Sequence, residues 1–131
     1  MNAVDRLLAV IGYPADEVVR DGTSVVLSVD GRKVRVDDLH GRLVLSVAFG
    51  DPAEEALQRL AQYAAGRMLR EEAVLAWDPV RRELILWQEV PTGAGDDRAR
   101  LAFELFCTSC EWWADRCAEA RIEVPEAVFR P

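Results

Sequence analysis

The sequence predicts an α+β domain with the element order α-βββ-α-ββ-α, a mostly antiparallel twisted sheet packed with three helices. Three observations predict it. Residues 23–49 alternate apolar and polar side chains between tight-turn dipeptides, the pattern of a strand meander. Residues 73–89 repeat that pattern as a separate hairpin. Apolar residues at helical spacing come before, between and after these two blocks. Strands joined by tight turns pair antiparallel, and helices grouped outside such a sheet make an α+β layer structure.

Helix 1 is expected over about residues 3–11. Val4, Leu7, Leu8 and Ile11 fall at i, i+3, i+4 and i+7, one stripe of a short amphipathic helix. Asn2 can cap the start, and Asp5 suits the positive end of the helix dipole. Gly12, followed by Tyr13-Pro14, stops it. Residues 14–22 are polar and close on Asp21-Gly22, a turn signal.

The meander follows. In 23–29, Val25, Leu27 and Val29 alternate with Ser24 and Ser28. In 32–37, Val34 and Val36 alternate with Lys33, Arg35 and Asp37. Asp30-Gly31 between them is a two-residue hairpin signature that tolerates positive φ at both positions. The third run, 42–49, places Leu43, Leu45, Val47 and Phe49 on one face, after a turn at Leu39-His40-Gly41. Helix 2 is expected over about 52–65. Asp51 can cap it, Pro52 suits its first position, and Leu57, Leu60, Ala61 and Ala64 form its stripe before Gly66. The second hairpin joins 73–77 to 83–89 through Asp78-Pro79, and Pro91 ends it. Helix 3 runs over about 97–120. One domain is expected over 1–121, with 122–131 as a C-terminal tail beginning near Val124-Pro125.

Composition narrows the function. The chain has 131 residues, half of them apolar, enough for one hydrophobic core. Acidic residues outnumber Lys and Arg by 23 to 16, for a net charge of −7. That balance disfavours nucleic acid and anionic membrane as partners. No apolar stretch reaches the ~18 residues of a membrane span, so no membrane insertion is expected. The opening Met1-Asn2-Ala3-Val4-Asp5 has no basic segment ahead of an apolar run, so no secretory signal is expected. Three cysteines, locally spaced, do not make a disulfide framework and fit a reducing cytoplasm.

The second hairpin carries more apolar surface than one sheet face needs. Leu84-Ile85-Leu86-Trp87 is apolar on both faces, and Ala73-Val74-Leu75-Ala76-Trp77 is nearly so. A sheet with helices on one side should be polar on the other. Either a helix of the same subunit covers the second face, or an interface does. Leu75, Trp77, Ile85 and Trp87, left in water, forfeit about 1.5–3 kcal/mol for each large side chain that could be fully buried, and such patches mark interfaces. Helix 3 is also broad. Phe103, Phe106, Cys110, Trp113 and Cys117 make one stripe, and Leu101, Leu105 and Trp112 extend it around the helix.

These residues, taken in order, resemble the class I type III secretion chaperones of Gram-negative bacteria. The resemblance covers about residues 3–118. It lies in the element order, in Ile11-Gly12-Tyr13-Pro14 at the end of helix 1, and in Ala76-Trp77-Asp78-Pro79 with Leu84-Ile85-Leu86 and Val90-Pro91 in the late hairpin. Phe106, Glu111 and Trp112 or Trp113 in helix 3 add to it. What the resemblance implies is a non-enzymatic homodimer of the bacterial cytoplasm with no cofactor. It would bind the extended N-terminal segment of one or more secreted effector proteins, in part by adding a strand to a sheet edge. By element, the resemblance puts the dimer seam at Leu57, Leu60, Ala61, Ala64, Leu75, Trp77, Ile85 and Trp87. It puts effector contacts at Leu7, Ile11, Val26 and Val44. A similar fold, the YbjN-like adaptors, would need no secretion substrate and remains an alternative.

Reactive chemistry is thin. Cys107-Thr108-Ser109-Cys110, with Cys117 and His40, supplies four possible zinc ligands. Zinc sites pair two close-spaced ligand knuckles, and only one is present here. A redox C-x-x-C sits in a βαβ setting, which is absent. Cys110 and Cys117 lie on the apolar stripe, where a free cysteine acts as a small hydrophobe. His40 sits among turn residues without a second histidine or a positioned nucleophile. Neither a catalytic residue nor a metal site is therefore expected.

Overall fold

A computed structural model describes residues 2–67 and 71–128, the stretch 121–128 as backbone alone. Helix α1 (Ala3–Ile11) leads through a short 3-10 turn (Ala15–Glu17) into β1 (Val19–Asp21). Strands β2 (Ser24–Val29), β3 (Arg32–Leu39) and β4 (Arg42–Gly50) follow, then α2 (Glu54–Arg67), β5 (Val74–Asp78), β6 (Glu83–Val90) and α3 (Asp96–Val128). All six strands form one antiparallel sheet in the order β1-β2-β3-β4-β6-β5. The expected α+β architecture holds, with one strand more than the sequence suggests.

Local chemistry explains most boundaries. Asn2 Oδ1 accepts the Asp5 backbone N–H at 2.8 Å, and Gly12 closes α1 at φ 73°. Asp30 and Gly31 both have positive φ, as do His40 and Gly41, so two turns of the same hand close the hairpins of the meander. Asp78 Oδ1 accepts from Val80 N–H at 3.0 Å and Arg81 N–H at 3.3 Å, building the late turn. Helix α2 begins two residues later than expected, and Gly66 lies inside it. Helix α3 continues past the expected end near 120, because Ala118, Glu119, Ala120, Arg121, Ile122 and Glu123 are all compatible with a helix and none is a stop signal. The expected tail thus begins as helix, and residues 129–131 lie outside the described residues.

The overlooked strand is β1. Its three residues are all exposed, so it has no apolar alternation to betray it. It pairs Val19 with Val26 and Asp21 with Ser24.

The core lies between one sheet face and the helices. Val25, Leu27, Val34, Val36, Leu43, Leu45, Val47, Leu84, Leu86 and Val90 point inward and are essentially dry. Helix α3 crosses β4 and β6 and inserts Phe103, Phe106, Cys110, Trp113 and Cys117. Helix α1 packs on α3 and β3, and α2 packs on α3. The opposite sheet face carries no helix among the described residues.

Candidate protein-binding surface

Strand β6 is paired on both sides, by β4 and by β5, and its two faces do different work. Leu84, Leu86, Gln88 and Val90 are buried in the core, while Ile85 and Trp87 stand half-buried on the open face. The register sorts the hairpin's surplus. Leu75 pairs with Leu86 and Trp77 with Leu84, so both belong to the helix side. Val74 pairs with Trp87 and Ala76 with Ile85, so both belong to the open side. The four residues expected as one patch therefore divide between faces. Leu75 and Trp77 sit near the sheet margin, and Ile85 and Trp87 lie across the open face. Trp77 is 38% exposed and Val74 44%. Val74 follows the same period of two as Trp87, its pairing partner.

One row of paired residues crosses the whole open face: Val19, Val26, Arg35, Ser46, Trp87 and Val74. Its two halves differ. On the β1–β3 side, Arg35 is held by three neighbours. Its Nη2 donates to Ser24 Oγ at 3.0 Å, its Nε to Asp37 Oδ1 at 3.3 Å and its Nη1 to Asp21 Oδ2 at 3.4 Å. Ser24 in turn hydrogen-bonds Asp37. On the β4–β6–β5 side, Val44, Ala48, Ile85, Trp87, Val74 and Ala76 leave a largely apolar field. A bidentate pair marks its rim, with Arg42 Nε 2.9 Å and Nη2 2.7 Å from the two oxygens of Glu89. That pairing holds the Glu89 carboxyl below its ordinary range.

The field ends at an edge. Among the described residues strand β5 pairs only with β6, so its outer side presents backbone N–H and C=O groups that no described strand pairs. Exposed edges with apolar side chains are templates for another strand. The other edge, β1, is short and carries Arg20 and Asp21, which blunt it.

The remaining expected contact residues are scattered. Val26 and Val44 are half-buried on the open face, as their alternation implied. Ile11 is half-buried at the end of α1. Leu7 is 2% exposed, because its stripe on α1 faces the core. It also lines a cleft of about 40 Å³ among α1, Leu43, Val90 and the start of α3, room for little more than a water molecule. On α2, Leu60 is buried in the chain's own core, whereas Leu57 and Ala64 are half-buried and Ala61 is exposed. Leu7 and Leu60 therefore offer almost no side-chain surface to a partner in this conformation.

Where α2, β5 and α3 meet, a polar cluster braces the apolar surroundings. Arg67 pairs with Glu71, and Glu71 accepts from Ser109 Oγ at 2.5 Å. The Arg67 guanidinium lies 3.8 Å above the Trp112 ring. Burial alone pushes the Glu71 carboxyl up. Hydrogen bonds from Arg67 and Ser109, the Arg67 charge and the nearby Trp113 indole outweigh it, and the net shift is downward.

The surroundings of Cys107 and Cys110 disfavour the thiolate. Cys110 and Cys117 are buried, Cys107 is half-buried, and all three are free. Burial pushes Cys107 up and Cys110 up to about 12. His40 occupies a positive-φ turn position between β3 and β4. Among the described residues no group of three or more His, Cys, Asp or Glu side chains is placed to hold a metal ion. No described helix is long and apolar enough to cross a membrane. What the site offers is surface: an apolar field, a polar half and a pairing edge.

Solved structures share this fold. A chain of the HopA1–SchA chaperone–effector complex superposes with a TM-score of 0.66 at 14% identity, over 86% of this chain and 91% of that one. The fold is class I type III secretion chaperone-like. A chain of the ExsC–ExsE complex superposes equally well, at 0.66 and 17% identity, over 89% of this chain and 97% of that one. No protein-family model matches the sequence, and no curated protein matches it. The likeness to these chains is one of fold, at 14% and 17% identity.

Proposed function

We propose that this protein is a type III secretion chaperone. It acts without catalysis in the bacterial cytoplasm, as a homodimer, and holds the extended N-terminal segment of one or more effector proteins in a secretion-competent state. The observation that carries this reading is the two-faced β6, whose Ile85 and Trp87 extend an apolar field to the unpaired edge of β5. An apolar field of this kind suits a second copy of this chain, whose own late hairpin covers it and leaves Val26 and Val44 to the effector segment. The fold it shares with a chain of a chaperone–effector complex supports the same reading. Leu57, Ala61 and Ala64 on α2, with Leu75, Trp77, Ile85 and Trp87, are the proposed dimer seam. Ile11, Val26 and Val44 are the proposed effector contacts.

Co-expression with proteins from the adjacent locus, followed by purification and light scattering, tests this. The expected result is a two-subunit mass and a stable complex that needs only the N-terminal segment of the partner. A one-subunit mass together with failure to retain any such segment overturns it.

A further inference from the structure

Beside the outer edge of β5, on the helix side of the sheet, lies a cavity of about 310 Å³. That is about ten times the volume one water takes in the liquid. Small residues make the room: Ala64 and Ala65 from α2 and Ala73 from β5, with Leu75 and Trp113 as the larger apolar walls. Two residues beyond Leu75 on the same face of β5, the Trp77 indole is 38% exposed and does not line the cavity of its own chain. One strand edge thus carries both a vacant apolar cavity and an indole that gains from burial.

Symmetry decides where a second β5 would put that indole. A two-fold axis normal to the sheet makes two copies of one strand antiparallel and keeps every side chain on its own face. Residues opposite each other in an antiparallel pair share a face. The axis must therefore pass through a residue and its own copy. Centring it on Ala76 is the choice that pairs all five residues of β5, Val74–Asp78. Leu75 then lies opposite the second copy's Trp77, on the helix side, at the mouth of the cavity. The strand ends agree in charge. Glu72 precedes β5 and Arg81 follows it, both are exposed, and the antiparallel register brings the acidic end of each strand to the basic turn of the other.

We propose that two copies of this chain join edge to edge along β5, with Ala76 opposite Ala76 and Leu75 opposite Trp77. Each copy's Trp77 fills the other's cavity between α2, β5 and α3. The pairing rests on the two-subunit reading above and names the line along which the late hairpins meet.

The test uses the full chain. In this register copies of residue 76 lie ~5 Å apart, and copies of residue 74 about 14 Å apart. Ala76→Cys is expected to be linked across the axis by a bis-maleimide too short for the second distance, and Val74→Cys is not. Peptide mapping separates that link from any at Cys107, Cys110 or Cys117. Trp77→Ser is expected to raise the dissociation constant in sedimentation equilibrium roughly tenfold or more, as loss of a buried indole does at an interface. Ala65→Phe, which fills the cavity from its own chain, is expected to weaken the pair to a similar degree. The two substitutions together are expected to cost little more than either alone, because both remove one contact. A two-subunit mass with residue 76 unlinked, or with residue 74 linked as readily, overturns the proposal and leaves the two-subunit reading standing. Unchanged dissociation constants in Trp77→Ser and Ala65→Phe overturn it in the same way. A one-subunit mass for the unsubstituted chain overturns both. Circular dichroism of each variant checks that these edge substitutions leave the fold intact.

Discussion

The side-chain amide of Gln88 donates to the main-chain carbonyl of Ala102, 3.2 Å away, across the dry interface between β6 and α3. Gln88 is 2% exposed and shares its row with Val25, Val36 and Leu45. It is a polar residue in a core row, and its bond fixes the height of α3 along the strand. Gln88→Glu puts a carboxylate against that carbonyl, and the expected cost is about 2–4 kcal/mol at neutral pH. Gln88→Met keeps the volume without the charge and is expected to cost less than ~1.5 kcal/mol. Urea unfolding of the two variants checks both values, and the reverse ranking rejects the role given to the hydrogen bond.

Much of this fold is legible in the sequence, for reasons that can be named. The strands β2, β3 and β4 announce themselves because alternate residues must be dry, and Asp30-Gly31 fixes where the chain reverses. Helix α1 is legible because its stripe and both caps agree. Strand β1 is not, since an exposed edge strand of Val19, Arg20 and Asp21 needs no apolar pattern. The surplus of the late hairpin was visible, but its division between faces was not. Composition places Leu75, Trp77, Ile85 and Trp87 in one hairpin, and only the pairing of Trp77 with Leu84 and Val74 with Trp87 assigns their sides. Leu7 and Leu60 show the same limit. Periodicity finds the stripe of a helix without saying whether that stripe meets the core or a partner.

The open face supplies a direct test of the dimer seam. Ile85 and Trp87 are half-buried there and make no part of the dry core row formed by Leu84, Leu86 and Val90. Ile85→Asp or Trp87→Asp should therefore leave the monomer folded while placing a charge in the proposed seam, where an unpaired buried charge is strongly unfavourable. The expected outcome is a native far-ultraviolet circular dichroism spectrum with a light-scattering mass of one subunit. A native spectrum with an unchanged two-subunit mass excludes these residues from the seam.

Acid should weaken the brace around Glu71. Its carboxyl titrates below the ordinary value in the folded chain, because the gains from Arg67 and Ser109 exceed the burial penalty. A depressed folded value stabilises the protein above the unfolded value of ~4.3, and the gain is lost as pH falls through the folded value. Glu71→Gln removes that contribution. The stability gap between the natural protein and the variant is expected to be wider at about pH 7 than at about pH 3, by denaturant titration. A gap independent of pH would assign Glu71 to packing alone.

The cysteines offer a readout of the helix layer. Cys110 and Cys117 are 1% and 4% exposed, whereas Cys107 is half-buried near the β2–β3 turn. Burial raises the thiols of Cys107 and Cys110, the latter to about 12, so few thiolates exist at working pH. Reaction requires the thiolate and an open path to it. Alkylation of the folded protein at about pH 8 should be slow, with Cys107 modified first and the other two only when α3 lifts from the sheet. Mass spectrometry after timed quenching orders the three sites. Gln88→Glu, which weakens the tie between β6 and α3, is expected to speed labelling of Cys110 and Cys117 more than that of Cys107. Uniform acceleration at all three would mean that the whole domain opens at once, with no separate release of the helix.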